Sequence, residues 1–218
     1  MNIVITKAIF DMDGLIFDSE RMFYAALKEA MAEDGYVLTE DIYKNTLGLG
    51  AQSVKEYMTG IYGEDYPVYE MGQKARARMS DAAAKGLPVK KGIRRLLERL
   101  REGGAECVVA SSTETRFVRS YIESAGLDGY FTGYLGGETV GRSKPDPEIF
   151  LKALGGTKKS EAVIFEDSEN GVRAADAAGI RVICIPDMKC PAKEVLEKAF
   201  ACVSDADEAI AVITEELK

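Results

Sequence analysis

Short apolar runs alternate with longer helical patterns along most of this chain. Runs rich in β-branched or aromatic residues predict strands at Ala8 to Phe10, Cys107 to Ala110, Ala162 to Phe165, Arg181 to Ile185 and Ala201 to Val203. Apolar residues recur at helical spacing between them, in Ile93 to Glu102, Glu114 to Ala125 and Pro147 to Leu154. We expect Thr113 to cap the second of these helices. Such alternation predicts an α/β fold with a parallel sheet and crossover helices.

The stretch between the first two predicted strands breaks this alternation, because it holds helical patterns and no convincing strand. A first helix begins at Asp18 or Ser19, and a third spans Val68 to Lys85. The predicted apolar faces of the first two helices are Phe23, Leu27, Ala30 and Met31, and then Val54, Tyr57, Met58 and Ile61. The stretch is too long for a plain loop. We therefore expect a small all-α domain over 17–86, inserted into a core formed by 1–16 and 87–218.

Composition narrows the range of partners. The 218 residues carry a formal net charge of -8, which argues against a nucleic-acid binder or a membrane-surface protein. The apolar runs are far shorter than the roughly 20 residues that cross a bilayer, and the first ten residues do not resemble a secretory signal. We expect a cytoplasmic chain that is a monomer or a weak homodimer.

The chain contains no histidine. This excludes Ser-His-Asp and Cys-His catalysis and any mechanism in which imidazole is the general base. The four cysteines show no CxxC spacing, and without histidine they do not form the usual zinc sites, so we interpret them as free thiols. The remaining chemistry must use carboxylates, hydroxyls, lysines or a metal ion that is held by oxygen.

Polar residues cluster at the ends of predicted strands, where open α/β sheets bind their ligands. They are Asp11-Met12-Asp13-Gly14, Ser111-Ser112, Lys144 before Pro145, and Glu166-Asp167-Ser168. Taken singly, each has an ordinary structural explanation: an acidic turn, a helix cap or a solvated lysine. Together they supply two aspartates, a hydroxyl, a lysine and a second acidic pair, which is the set that phosphoryl transfer requires.

With this set and the opening motif DMDGLIFDSE, the chain resembles the haloacid dehalogenase superfamily, in its β-phosphoglucomutase-like phosphatase branch. The resemblance covers essentially the whole chain. It implies a Rossmann-like, doubly wound parallel sheet and a helical cap domain that closes over the site. The second aspartate of the DxD motif, Asp13, favours phosphate chemistry, since the dehalogenases of the superfamily lack it.

The resemblance also implies a role for each site residue. Asp11 is the nucleophile that forms an aspartyl phosphate, and Asp13 is the acid/base for the leaving oxygen and for water. Ser111 holds a phosphoryl oxygen, and Lys144 compensates the charge of Asp11 and of the transferred group. The implied cofactor is Mg²⁺, with ligands from the Asp11 carboxylate, the Asp13 carbonyl and the Asp167 carboxylate, and with Glu166 beside them.

For substrate, the resemblance implies a small phosphorylated metabolite, such as a sugar phosphate. The substrate-binding candidates are Gly14, Glu20, Gly48, Lys74, Arg78, Ser111, Ser112 and Lys144. Basic residues on one helix face, such as Lys74 and Arg78, are more often solvated than bound to a ligand.

A phosphosugar mutase of the same branch is the first alternative. Such mutases have a histidine in the first cap helix and an arginine after a glycine like Gly48, whereas this chain has Phe23 and then Ala51 and Gln52 near those places. Hydrolysis is therefore favoured. A non-catalytic phospho-acceptor or binding protein is the other alternative, but a receiver-like acceptor follows a middle strand and has no inserted cap.

Overall fold

The computed structural model describes residues 5–83 and 86–216, and it gives no side-chain placement for 81, 82, 215 and 216. The chain divides into two compact units, Met1–Asp18 with Pro88–Lys218, and Ser19–Leu87. Ala84 and Lys85, the predicted end of the third inserted helix, lie outside the described residues. Among the described residues, no helix has both the length and the apolar character that crossing a membrane requires.

The first unit is built on a parallel sheet of six strands in the order β3-β2-β1-β4-β5-β6. The strands are β1 (Lys7–Phe10), β2 (Glu106–Ala110), β3 (Phe131–Leu135), β4 (Ala162–Glu166), β5 (Arg181–Cys184) and β6 (Ala201–Cys202). The predicted Rossmann-like α/β sheet is confirmed. The sequence pattern does not predict β3, because this edge strand is only partly buried and contains Thr132 and Gly133 in place of an unbroken apolar run.

Ten α-helices lie in the described ranges 5–83 and 86–216: α1 (Ser19–Glu33), α2 (Glu40–Thr46), α3 (Ala51–Tyr62), α4 (Val68–Ala83), α5 (Ile93–Glu102), α6 (Thr115–Ser124), α7 (Glu148–Leu154), α8 (Glu169–Ala178), α9 (Lys193–Leu196) and α10 (Ala206–Glu216). The observed α5 has the predicted bounds. The first four helices form the second unit. The other six cover the sheet, whose central strands β1 and β4 are buried along their whole length.

Aromatic stacking joins the two central strands. The Phe10 ring stacks on Phe165 with centroids 4.7 Å apart, and it meets the Phe131 ring edge-on at 5.8 Å. On the sheet, α7 and α8 pack against a cluster that includes Ile9 and Val108. Because Phe10 and Phe165 are the last apolar residues before polar loops, this packing fixes where both loops begin.

The predicted cap of α6 is wrong. The N-cap residue is Glu114, which makes no side-chain capping bond, and the Thr115 N–H donates instead to the Glu138 carboxylate at 3.1 Å. The Thr113 hydroxyl points away from the helix, toward the loop after β1.

In the second unit, α1 and α4 pack against each other. Leu27, Ala30 and Met31 of the predicted α1 face are buried, but Ile61 of the predicted α3 face is 43 % exposed. Helix α2 was not predicted, because it is seven residues long and mostly polar. Its N-cap is Thr39, whose hydroxyl accepts from the Ile42 N–H at 3.3 Å.

The chain leaves and re-enters the first unit along paired segments. Phe17 and Val89 form an antiparallel bridge, Asp18 N–H donates to the Pro88 carbonyl at 3.1 Å, and Lys90 N–H donates to the Ile16 carbonyl at 2.9 Å. These segments begin immediately after the Asp11 to Gly14 loop, so the returning chain is fixed next to it.

Replacing Phe10 by alanine removes the ring that packs on both Phe165 and Phe131. We expect Phe10→Ala to lower the free energy of unfolding by about 3–5 kcal/mol, measured by urea denaturation. Phe117→Ala is the matched control, because that ring is 41 % exposed, and we expect a much smaller loss. Equal losses for both variants would contradict this account of the core.

Candidate active site

A buried lysine joins the loops that follow three strands. Lys144 Nζ donates to Asp11 Oδ1 at 2.5 Å, to the Ala110 carbonyl at 3.1 Å and to Glu166 Oε1 at 2.7 Å. Asp11 follows β1, Ala110 ends β2 and Glu166 ends β4. The lysine itself lies in the loop before α7. Its three donated bonds therefore bring together residues that are far apart in the sequence.

Carboxyl groups outnumber ammonium groups around Lys144. Burial raises the pKa of Asp11 to about 7, and the charges of Glu166 and Asp13 add to the rise, while Lys144 opposes it. Burial, Glu166 and Asp11 likewise raise the pKa of Asp167 well above its usual range. Burial alone would lower the pKa of Lys144, but its carboxylate partners raise it above the ordinary value. The site therefore favours an additional cation.

Glu166 is anchored at the start of α8. Its Oε2 accepts from the N–H groups of Asp167 and Ser168, both at 2.9 Å, and from Ser168 Oγ at 3.0 Å. With Oε1 bound to Lys144, both carboxylate oxygens already have protein partners. Gly171 makes this possible, because a Cβ at that position would overlap the Glu166 carboxylate. Glu166 thus supports Lys144 instead of presenting an unengaged oxygen to a metal ion.

Hydroxyl groups hold Asp13. Its Oδ2 accepts from Thr113 Oγ1 at 2.8 Å and from Ser111 Oγ at 3.4 Å, and Ser111 Oγ in turn accepts from the Thr113 N–H at 3.0 Å. The sequence does not predict Thr113 as a site residue, because its position just before α6 favours a capping role. The only signal was a third hydroxyl residue directly after Ser111 and Ser112.

Gly14 brings the first loop close to Asp167. Its φ is +79°, in the left-handed region that favours glycine. A Cβ on Gly14 would lie 3.0 Å from Asp167 Cγ and still closer to one carboxylate oxygen. The Asp167 side chain therefore packs directly against the Gly14 backbone, and any larger residue would displace it.

Within 5–83 and 86–216, no three Asp, Glu or Cys side chains are grouped as a complete metal site. The donors that fit a cation are the buried carboxylates of Asp11 and Asp167, which repel each other, together with a loop carbonyl. The Asp13 side chain is engaged by hydroxyls, which leaves its carbonyl as the expected ligand. An all-oxygen set with few protein ligands suits Mg²⁺, which retains several waters when bound.

Of three further substrate-binding candidates, one lies in the first unit and two lie in the second. Ser112 is exposed beside Ser111. In the second unit, Glu20 accepts a hydrogen bond from the Tyr43 hydroxyl at 2.6 Å, and Gly48 lies in an exposed turn.

The two basic substrate-binding candidates of the second unit have acidic partners. Lys74 pairs with Asp34 at 2.7 Å, and Arg78 pairs with Glu33 at 2.5 Å. Because both charges are compensated within their own unit, substrate binding by Lys74 and Arg78 stays a prediction.

Comparison with known proteins identifies a family and several relatives. The model of the haloacid dehalogenase-like hydrolase family matches residues 8–185. The phosphorylated carbohydrates phosphatase of Thermotoga maritima is 26 % identical over 212 residues, which are 96 % of this chain and 98 % of that protein.

Solved structures show the same architecture. CbbY from Rhodobacter sphaeroides, in complex with phosphate, superposes with a TM-score of 0.73 at 25 % identity, over 94 % of this chain and 96 % of that one. The β-phosphoglucomutase of Clostridium difficile has a TM-score of 0.71 over 94 % and 92 % of the two chains. At 18 % identity, the latter shows the fold alone.

The contact between Gly171 and Glu166 predicts an unusual response to alanine. Gly→Ala in a helix ordinarily stabilises a protein by roughly 0.5–1 kcal/mol. We expect Gly171→Ala to lower the melting temperature instead, because the new methyl group displaces the buried Glu166 carboxylate. Gly60→Ala in α3 is the matched control, since the position has open space and should gain stability. A gain for Gly171→Ala would refute the packing.

Proposed function

The chain belongs to the haloacid dehalogenase-like hydrolase family, and from this premise we propose that it hydrolyses a small phosphorylated metabolite through an aspartyl phosphate, with Mg²⁺ as cofactor. Its class is that of the phosphoric monoester hydrolases. One observation carries the proposal: two aspartates, two positions apart, are held by opposite kinds of partner. Asp11 is bound by an ammonium group and Asp13 by hydroxyl groups. These environments suit a nucleophile and a proton carrier respectively.

In the first step, a carboxylate oxygen of Asp11 attacks phosphorus, and the bond from phosphorus to the leaving oxygen breaks. Lys144 favours the ionised form of Asp11 and compensates charge on the transferred group. Asp13 gives its proton to the leaving oxygen, so the alcohol departs neutral. The Ser111 hydroxyl, adjacent to Asp13, is placed to donate to a phosphoryl oxygen.

In the second step, Asp13 takes a proton from water, and the water oxygen attacks phosphorus. The bond from phosphorus to Asp11 breaks, which releases phosphate and restores both carboxyl groups to their starting states. The Thr113 hydroxyl keeps Asp13 in one orientation through both proton transfers.

Enzymes of this family generally use Mg²⁺. Asp11, Asp167 and the Asp13 carbonyl would hold the ion here, for the reasons of charge and donor type given above. When bound, Mg²⁺ supplies positive charge for the phosphoryl oxygens during transfer.

For the substrate, we propose a sugar phosphate. The support is the Thermotoga relative, which is named for phosphorylated carbohydrates and spans nearly the whole chain. We assign the role of a cap to the inserted residues 17–86, which would select the substrate. The absence of histidine favours transfer to water over transfer between two sugar positions.

Asp11→Asn replaces the nucleophilic carboxylate with a neutral amide of nearly the same shape. We expect phosphate release from a panel of sugar phosphates, nucleotides and an aryl phosphate to require Mg²⁺ and to disappear in this variant. Asp41→Asn, at an exposed position of α2, should keep full activity. Turnover by Asp11→Asn would exclude the covalent role. Interconversion of hexose 1- and 6-phosphates without phosphate release would identify a mutase.

Thr113→Val removes the hydroxyl that orients Asp13 while keeping the size of the side chain. We expect kcat to fall about tenfold, the value of one lost hydrogen bond, with little change in KM. Thr113→Ser retains the hydroxyl and should stay close to wild type. Equal kcat values for the two variants in steady-state kinetics would contradict a role for the hydroxyl bond to Asp13.

A further inference from the structure

A second lysine, Lys90, contacts the loop Asp11 to Gly14 that follows β1. Lys90 Nζ donates to the Gly14 carbonyl at 2.6 Å and to Asp187 Oδ1 at 2.8 Å. The lysine side chain is 20 % exposed and the Asp187 side chain 3 % exposed, so the ion pair is largely buried. Neither residue has a part in the reaction steps described above.

The two residues come from separate parts of the first unit. Lys90 lies on the segment that returns from the insertion, and its N–H is bonded to the Ile16 carbonyl. Asp187 follows β5, whose end is joined to β4 by the bond from Ile185 N–H to the Glu166 carbonyl at 2.7 Å. The ion pair thus connects the returning segment with the loop that lies beside Glu166 and Asp167.

Gly14 is held on both sides. Its N–H donates to the Phe17 carbonyl at 3.1 Å, and its carbonyl accepts from Lys90. The peptide between Asp13 and Gly14 contains the carbonyl that we expect to bind Mg²⁺, and the Asp167 carboxylate packs against Gly14. A shift of Gly14 would therefore displace two of the three expected oxygen ligands together.

Burying an ion pair carries a desolvation penalty that an apolar pair of the same size avoids. Stability alone therefore gives little reason for a lysine here, whereas a carbonyl that must stay fixed requires a donor. We propose that Lys90, oriented by Asp187, is a positioning residue that fixes Gly14 and through it the oxygen ligands of the Mg²⁺ site. This inference rests on the proposed function.

The test measures Mg²⁺ binding to the substrate-free protein by titration calorimetry. Outer partners of metal ligands typically contribute 10–100-fold to metal affinity, so we expect Lys90→Met to raise the Kd for Mg²⁺ by at least about tenfold. Lys91→Met is the matched control, because Lys91 is the next residue and is exposed. It should bind Mg²⁺ as the wild type does.

Lys90→Met alone leaves Asp187 as a buried charge without its ammonium partner, which is destabilising in itself. The double variant Lys90→Met/Asp187→Asn removes both charges while keeping both shapes. We expect its melting temperature to recover relative to Lys90→Met, while its Kd for Mg²⁺ stays raised, because Gly14 still lacks its donor. Recovery of Mg²⁺ affinity along with stability would show a purely structural pair and overturn the proposal.

The outcomes separate this inference from the proposed function. If the wild type binds Mg²⁺ and releases phosphate, and the Lys90 variants bind Mg²⁺ equally well, then the role of Lys90 is overturned and the proposed function stands. If the wild type binds no Mg²⁺, the proposed cation site fails and the role of Lys90 fails with it.

Discussion

Three buried carboxylates, those of Asp11, Glu166 and Asp167, lie at the carboxyl edge of the sheet, and the buried ammonium of Lys144 pairs with the first two. A buried carboxylate without a cationic partner loses more hydration free energy than packing returns. Without Lys144, the loops would therefore move apart or the carboxylates would take up protons. The ammonium contacts Asp11, Glu166 and a main-chain carbonyl, which ties together the ends of β1, β2 and β4. Because one lysine cannot neutralise all three, the arrangement retains a demand for a further cation.

Close approach of these carboxylates depends on positions that lack side chains. Gly14 leaves space for Asp167, and Gly171 leaves space for Glu166. At both positions the carboxylate packs against glycine backbone, and the N–H groups of Asp167 and Ser168 donate to the Glu166 carboxylate. Gly14 also adopts a positive φ, whereas Gly171 lies within a helix, so only the first has a conformational reason to be glycine. For Gly171 the reason is the space required by the buried charge.

Residues marked by a local pattern or by the motif resemblance could be predicted, and residues whose role depends on tertiary contacts alone could not. The buried central strands and the polar residues that follow them were visible as apolar runs and strand ends, while the half-exposed edge strand β3 gave no such run. Thr113 was assigned to its adjacent helix, because no local pattern shows that its hydroxyl reaches Asp13, 100 positions away. Lys90 pairs with Asp187 across 97 positions in the sequence. The acidic partners of Lys74 and Arg78 lie 40 and 45 positions away from them.

In the proposed mechanism, the nucleophile and the acid/base are both carboxyl groups, which have similar intrinsic pKa values. The structure gives two such groups different environments. Burial raises the pKa of Asp11 to about 7, and the adjacent Lys144 ammonium opposes that rise, which favours the ionised form that the proposal assigns to the nucleophile. Asp13 faces hydroxyls, which can donate to its carboxylate or accept from its acid form, so both states are accommodated. In this proposal, the surroundings of the two aspartates, more than their residue type, divide the chemical roles. The loop that carries both aspartates owes its position to the packing of β1 against β4.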